Sequence, residues 1–174
     1  MEEKEILLLV NDFRRRIDKA YKKGSFKNTS FEDFPTQCCG IASRLLAKFL
    51  DSYGVKTIFI SAEEFDTTET HAWLVINDGR IGAPRNCFHD VPDDIIALMG
   101  SYNNQSYDEI RCATRYFKED LEYGLIVDIT GDQFGEESTY VGQMDEFHQR
   151  FEFINAHEYD GIYDSELYEI VLRS

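Results

Sequence analysis

Apolar residues recur at helical spacing twice in the first third of the chain. Ile6, Leu9, Val10, Phe13, Ile17 and Tyr21 form one stripe, which predicts a helix over residues 2–23 with Gly24 as its terminal cap. Arg14, Arg15 and Arg16 in its second half read as a solvated basic face. Ile41, Leu45, Leu46 and Phe49 form a second stripe, predicting a helix over residues 40–53 that Gly54 stops. The pattern then turns to β. Residues 55–61 are β-branched and aromatic, and residues 71–76 are apolar on both faces, as in a central strand of a covered sheet. Asn77-Asp78-Gly79 is a turn signal of the hairpin kind.

Residues 80–123 break that rhythm. Pro84 and Pro92 punctuate them, and helical patterns cover residues 92–99 and 107–121. This block reads as an insertion over one end of the sheet, a lid or substrate wall on one view and helical padding on the other. Residues 124–130 predict a third strand and residues 139–141 a short edge strand. Residues 143–158 carry no readable period. Residues 163–172 predict a closing helix with Leu167, Ile170 and Val171 inward. The expected fold is α+β: an antiparallel sheet packed against a Cys-bearing helix, in a single domain spanning residues 1–174.

Composition narrows the function classes. Four cysteines and no signal-like N-terminus point to free thiols in a reducing cytoplasm, with signal-independent export of the effector kind left open. No apolar run approaches the roughly 20 residues that span a bilayer. A net charge of −15 repels phosphate backbones and anionic membranes, so neither nucleic acid nor membrane is an expected partner. The acidity suits a basic protein or peptide partner, but many soluble cytosolic proteins are simply acidic, and that plainer reading is preferred.

The chemistry concentrates in three places. Phe34-Pro35-Thr36-Gln37-Cys38-Cys39-Gly40 leads directly into the second helix. A cysteine in a first helical turn faces unpaired N–H groups and the positive end of the helix dipole, both of which favour thiolate. Of the adjacent pair, Cys39 is the better nucleophile candidate, because Gly40 beside it carries no side chain to block approach. Cys87 and Cys112 read as structural. His71 lies on an apolar strand with Trp73 two residues on, on the same face, where it can shield the imidazole. Asp128 interrupts an apolar strand and so demands a partner. Pairing with Nδ1 of His71 would satisfy it and leave Nε2 for the thiol.

The backbone N–H of Cys39 and the side-chain amide of Gln37 are the candidate oxyanion donors, and Gln37 and Trp73 the candidate substrate contacts. Asp132 is a backup for Asp128. His89 is a weak competitor of His71, and His148 and His157 read as exposed. There is no Cys-x-x-Cys, His-Glu-x-x-His, EF-hand or phosphate-binding glycine loop, so neither a metal nor a cofactor is expected.

The order Cys39, His71, Asp128 resembles the transglutaminase-like and papain-like superfamily of cysteine enzymes. Within it, the stretches 34–43, 70–74 and 126–134 look like those of a group of small bacterial proteins, some of whose relatives occur in toxins or effectors. The resemblance covers residues 34–134 and implies a Cys-His-Asp triad on a helix and neighbouring strands, with the insertion at about 80–123. It implies thiol-dependent acyl chemistry on an amide of a protein or peptide: hydrolysis, deamidation or transfer. Gln37 is not at the spacing of the papain oxyanion glutamine, and the insertion lengthens the interval between His71 and Asp128. The rival expectation is an acidic protein-binding module, immunity or regulatory in kind, on the same scaffold without turnover.

Overall fold

A computed structural model of the chain describes residues 1–64, 67, 69–87, 91–103, 106, 114–121 and 123–174. Helix α1 spans Glu3–Lys22 and opens on a reciprocal capping box between Glu2 and Glu5. Helix α2 spans Cys39–Asp51, and strands β1 and β2 span Thr57–Glu64 and Thr70–Ile76. Next come β3 (Arg85–Asn86), α3 (Asp93–Asn103) and β4 (Thr114–Arg115). A 3₁₀ turn at Lys118–Leu121 precedes β5 (Leu125–Asp128), and another at Gly131–Phe134 precedes β6 (Tyr140–Gly142). The chain ends with α4 (Glu146–Gln149), β7 (Phe151–Glu158) and α5 (Ser165–Leu172).

The architecture is α+β. Five antiparallel strands lie in the order β6-β5-β2-β1-β7, so β2 is central. Alternation along each strand divides the core in two. Phe59, Ala72, Leu74, Ile76 and Val127 face α1, α2 and α5, where Phe13 stacks on Phe49 with ring centroids 4.8 Å apart. Ile58, Ile60, Trp73, Val75 and Ile126 face the other way, onto Ile81, Tyr116, Leu121, Phe147 and Phe151. Burying each such large side chain contributes about 1.5–3 kcal/mol, and covering both faces is what allows β2 to be apolar on both from Ala72 to Ile76.

Several expectations are corrected by this arrangement. The arginine triplet is not uniformly solvated: Arg14 is 7% exposed. Its guanidinium donates to the Ile129 and Ser138 carbonyls and to Asp132 and Asp18. It also lies over the Phe34 ring. Tyr21, placed on the apolar stripe, is exposed, because α1 turns its last buried contact to Ala20. The turn at Asn77-Asp78-Gly79 does not close a hairpin, since β2 continues its pairing with β5 and the short β3 pairs with β4. Residues 114–121 form a strand and a 3₁₀ turn rather than the end of a helix. The rest of that expected helix, residues 107–113, lies outside the described residues, as do Cys112 and His89.

The segment without a readable period contains β7, eight residues paired along the whole of β1. A bulge opposite Ser61 and Ala62 shifts the register at Ile154. Inward positions therefore switch from Phe151 to Ala156, an odd-to-even change that erases the period of two.

Candidate active site

The site lies at the end of the sheet where β2 begins and β5 ends. The loop before α2 turns through a left-handed residue, Gln37 (φ 57°), and sends the two cysteines in different directions. Cys38 points into the core, where its sulfur donates to the carbonyls of Ser30 and Thr36. Burial, then the nearby Cys39 and Asp33, push its thiol up to about 11. Cys39 is the first residue of α2 and is only half-buried. One turn further on, Ser43 Oγ donates to the Ala72 carbonyl at 3.0 Å, which pins α2 to β2 beside His71.

His71 is 1% exposed. Its ring packs against Trp73, Phe134, Phe147 and Phe151, with centroids 4.9–5.6 Å away. Asp128 Oδ2 lies 2.8 Å from His71 Nε2, and Asp128 Oδ1 accepts from the N–H and hydroxyl of Thr130. The Asp–His pair expected from the sequence is therefore present, but on the opposite ring nitrogen. Asp128 meets the ring at Nε2, so Nδ1 is the nitrogen turned toward Gln133. Ring orientation about the last torsion is a tertiary matter that no local pattern fixes.

Electrostatics follow this geometry. Burial opposes ionisation of Cys39, but the His71 imidazole, the Gln133 amide and the Ala72 backbone outweigh it and hold the thiol below its ordinary range. Burial likewise disfavours imidazolium at His71, and hydrogen bonds and charge from Asp128 and Cys39 reverse that and raise it to about 9. Desolvation would raise Asp128, yet His148, His71 and Thr130 hold it well below the carboxylate range. The arrangement favours thiolate beside imidazolium, with the Asp128 carboxylate accepting from Nε2–H.

Three residues of this site were not legible as such. Gln133, read only as part of a turn, places its Nε2 3.2 Å from His71 Nδ1. His148, expected to be exposed, is 1% exposed. Its Nδ1 lies 2.6 Å from Asp145 Oδ1, and its Nε2 lies 3.5 Å from Asp128 Oδ2 without forming a hydrogen bond. Asp145, the cap of α4, also accepts the His148 backbone N–H, so one carboxylate holds both the backbone and the ring of His148. His157 is half-buried against Phe59. Asp132 does not back up Asp128 but pairs with Arg14.

A cleft of about 510 Å³ opens over Cys39, lined by Thr36, Gln37, Glu69, Thr70 and Gln133. Gln37 is exposed at its mouth. Trp73 is fully buried and lines no part of the cleft; its contribution is the shielding of His71. Among the described residues, the atoms able to hold a metal are those of His71, Asp128 and His148. No helix among these residues is long and apolar enough to cross a membrane. Comparison with family models, curated proteins and solved structures finds no match to this chain.

Proposed function

We propose that the chain is a cysteine enzyme of the transglutaminase-like or papain-like kind, acting on an amide of a protein or peptide. The observation that carries this reading is the buried Asp128–His71 pair at 2.8 Å, beside a half-buried thiol that lines an open cleft and whose ionisation the His71 imidazole favours. An unperturbed thiol is only a few per cent ionised at neutral pH. This one is held below that range by its neighbours.

In this mechanism the Cys39 thiolate attacks the amide carbon, and the carbonyl π electrons move onto oxygen. The Cys39 backbone N–H and the amide of Gln37 or Gln133 donate to that oxyanion. Collapse expels the amine, which takes a proton from Nδ1 of the His71 imidazolium and leaves an acyl thioester. Water or a second amine, deprotonated by the now neutral Nδ1, completes hydrolysis, deamidation or transfer. Asp128 stays ionised and holds the ring.

The test is alkylation with iodoacetamide across pH in chelator-containing buffer, with the labelled cysteine read by mass spectrometry in wild type and His71→Ala. Cys39 is expected to label well below pH 8, with Cys38 silent, and to slow in His71→Ala. Cys39→Ala should remain folded and lose turnover of amide substrates. Labelling of Cys39 only near about pH 8.5, indifferent to His71, would overturn the enzyme reading. Combined with absence of turnover, it would favour a binding module.

A further inference from the structure

His148 is a buried imidazole whose Nε2 makes no hydrogen bond, and the mechanism above does not use it. That nitrogen lies 3.5 Å from the carboxylate oxygen that already holds His71. We infer that His71, Asp128 and His148 form a binding site for a zinc-type divalent cation, in which the metal displaces the hydrogen bond between Asp128 and His71.

Spacing supports a tetrahedral ion. Ligand atoms about 2.0–2.1 Å from zinc stand about 3.3 Å apart. Asp128 Oδ2 is 2.8 Å from His71 Nε2 and 3.5 Å from His148 Nε2, so the observed separations bracket that value. All three ligand atoms lie within 4.8 Å of one another. Seating the ion requires the first pair to open by about 0.5 Å and the two imidazole nitrogens, which lie within 4.8 Å of each other, to settle at about 3.3 Å.

The surroundings are also those of a metal ligand set. Asp145 holds Nδ1 of His148 at 2.6 Å, the outer carboxylate that fixes a ligating histidine's tautomer and aims its other nitrogen inward. A cavity of about 330 Å³ reaches Asp128 and His148 from outside, and Glu136, Glu137 and Asp145 on its wall attract cations toward it. This is the entry path that a buried site requires. Two imidazoles and one carboxylate select zinc over calcium or magnesium, which take oxygen ligands, and the fourth position is left for water from the cavity.

The ion would set the state of His71. With Nε2 on the metal, the ring keeps its proton on Nδ1, and Gln133 can turn its amide oxygen to accept it. Nδ1 then cannot receive a proton from Cys39 or from an acceptor water. On the enzyme reading the cation is therefore an inhibitor, and that consequence alone rests on the reading.

The binding test is independent of turnover. The full chain, freed of metal by chelation and dialysis, is titrated with Co²⁺ alone by calorimetry and visible absorption, then with Zn²⁺. One equivalent with tetrahedral ligand-field bands, no thiolate-to-cobalt band, and displacement by Zn²⁺ are expected. Cys39→Ser should bind equally. His148→Ala, with its fold checked by circular dichroism, should lose the site. Asp145→Asn, which keeps the local volume, should weaken binding about 10–100-fold and decides the matter where His148→Ala does not fold. No uptake, uptake undiminished in the folded His148→Ala or in Asp145→Asn, or a thiolate band lost in Cys39→Ser would overturn the site. Zn²⁺ bound as described but without effect on turnover would leave the site standing and refute only its inhibitory consequence.

Discussion

Replacing Arg14 with alanine should destabilise the protein by about 3 kcal/mol. The guanidinium is nearly buried and joins α1 to the segment after β5, donating to Ile129 O at 2.6 Å and Ser138 O at 3.0 Å. It also makes a two-pronged contact with Asp132 at 2.7 and 3.1 Å. Breaking a fully buried ion pair from one side costs about 3–5 kcal/mol. Asp132 and Asp18 keep 28% and 38% of their side-chain exposure, so water recovers part of the loss at those two carboxylates. The Ile129 and Ser138 carbonyls lose charge-assisted donors, at about 1–3 kcal/mol for each that water cannot reach. The lower end of the pair estimate is therefore appropriate.

With a urea slope of about 2 kcal/mol/M, the unfolding midpoint should fall by about 1.5 M. Arg14→Lys keeps the charge but loses the planar fork, and should recover about half of the loss. The same segment carries Gln133, so alkylation of Cys39 should also slow in Arg14→Ala. A midpoint shift below about 0.5 M, equivalent to about 1 kcal/mol, would refute the claim that Arg14 is a structural tie rather than part of a solvated face.

Two further outcomes follow from burial. Asp128 has a folded-state pKa held below its unfolded value, so its contribution is present above about pH 4 and is lost as pH falls below that. Asp128→Asn should be less stable at pH 7 yet lose less stability on acidification, measured as urea midpoints between pH 7 and 3; parallel acid limbs would refute the assignment. A methyl group at Gly124 would stand 2.2 Å from Val75 Cγ1 and 3.2 Å from the Leu121 carbonyl. Gly124→Ala should therefore cost about 2 kcal/mol and lower Tm by about 4–8 °C in calorimetry, and an unchanged Tm would show that β2 yields freely.

Part of the site and most of the main elements could be read from local patterns. Cys39 was legible because a helix start has a recognisable stripe behind it, and His71 and Asp128 because a polar residue within a run such as Leu125-Ile126-Val127 stands out against its neighbours. The helices α1, α2 and α5 and the strands β1, β2 and β5 followed from periodicity for the same reason.

Other features depend on contacts between distant segments. The ring nitrogen that Asp128 meets depends on how β2 and β5 are staggered. Gln133 and Arg14 acquire their partners only when the segment after β5 folds back across the sheet end and against α1. His148 sits in a charged stretch that reads as surface, and its burial depends on α4 tucking beneath Tyr140 and Trp73. The strand β7 was hidden because its bulge breaks the alternation that marks a strand. In each case the informative contact joins residues far apart in sequence, and a pattern read within one window has no access to it.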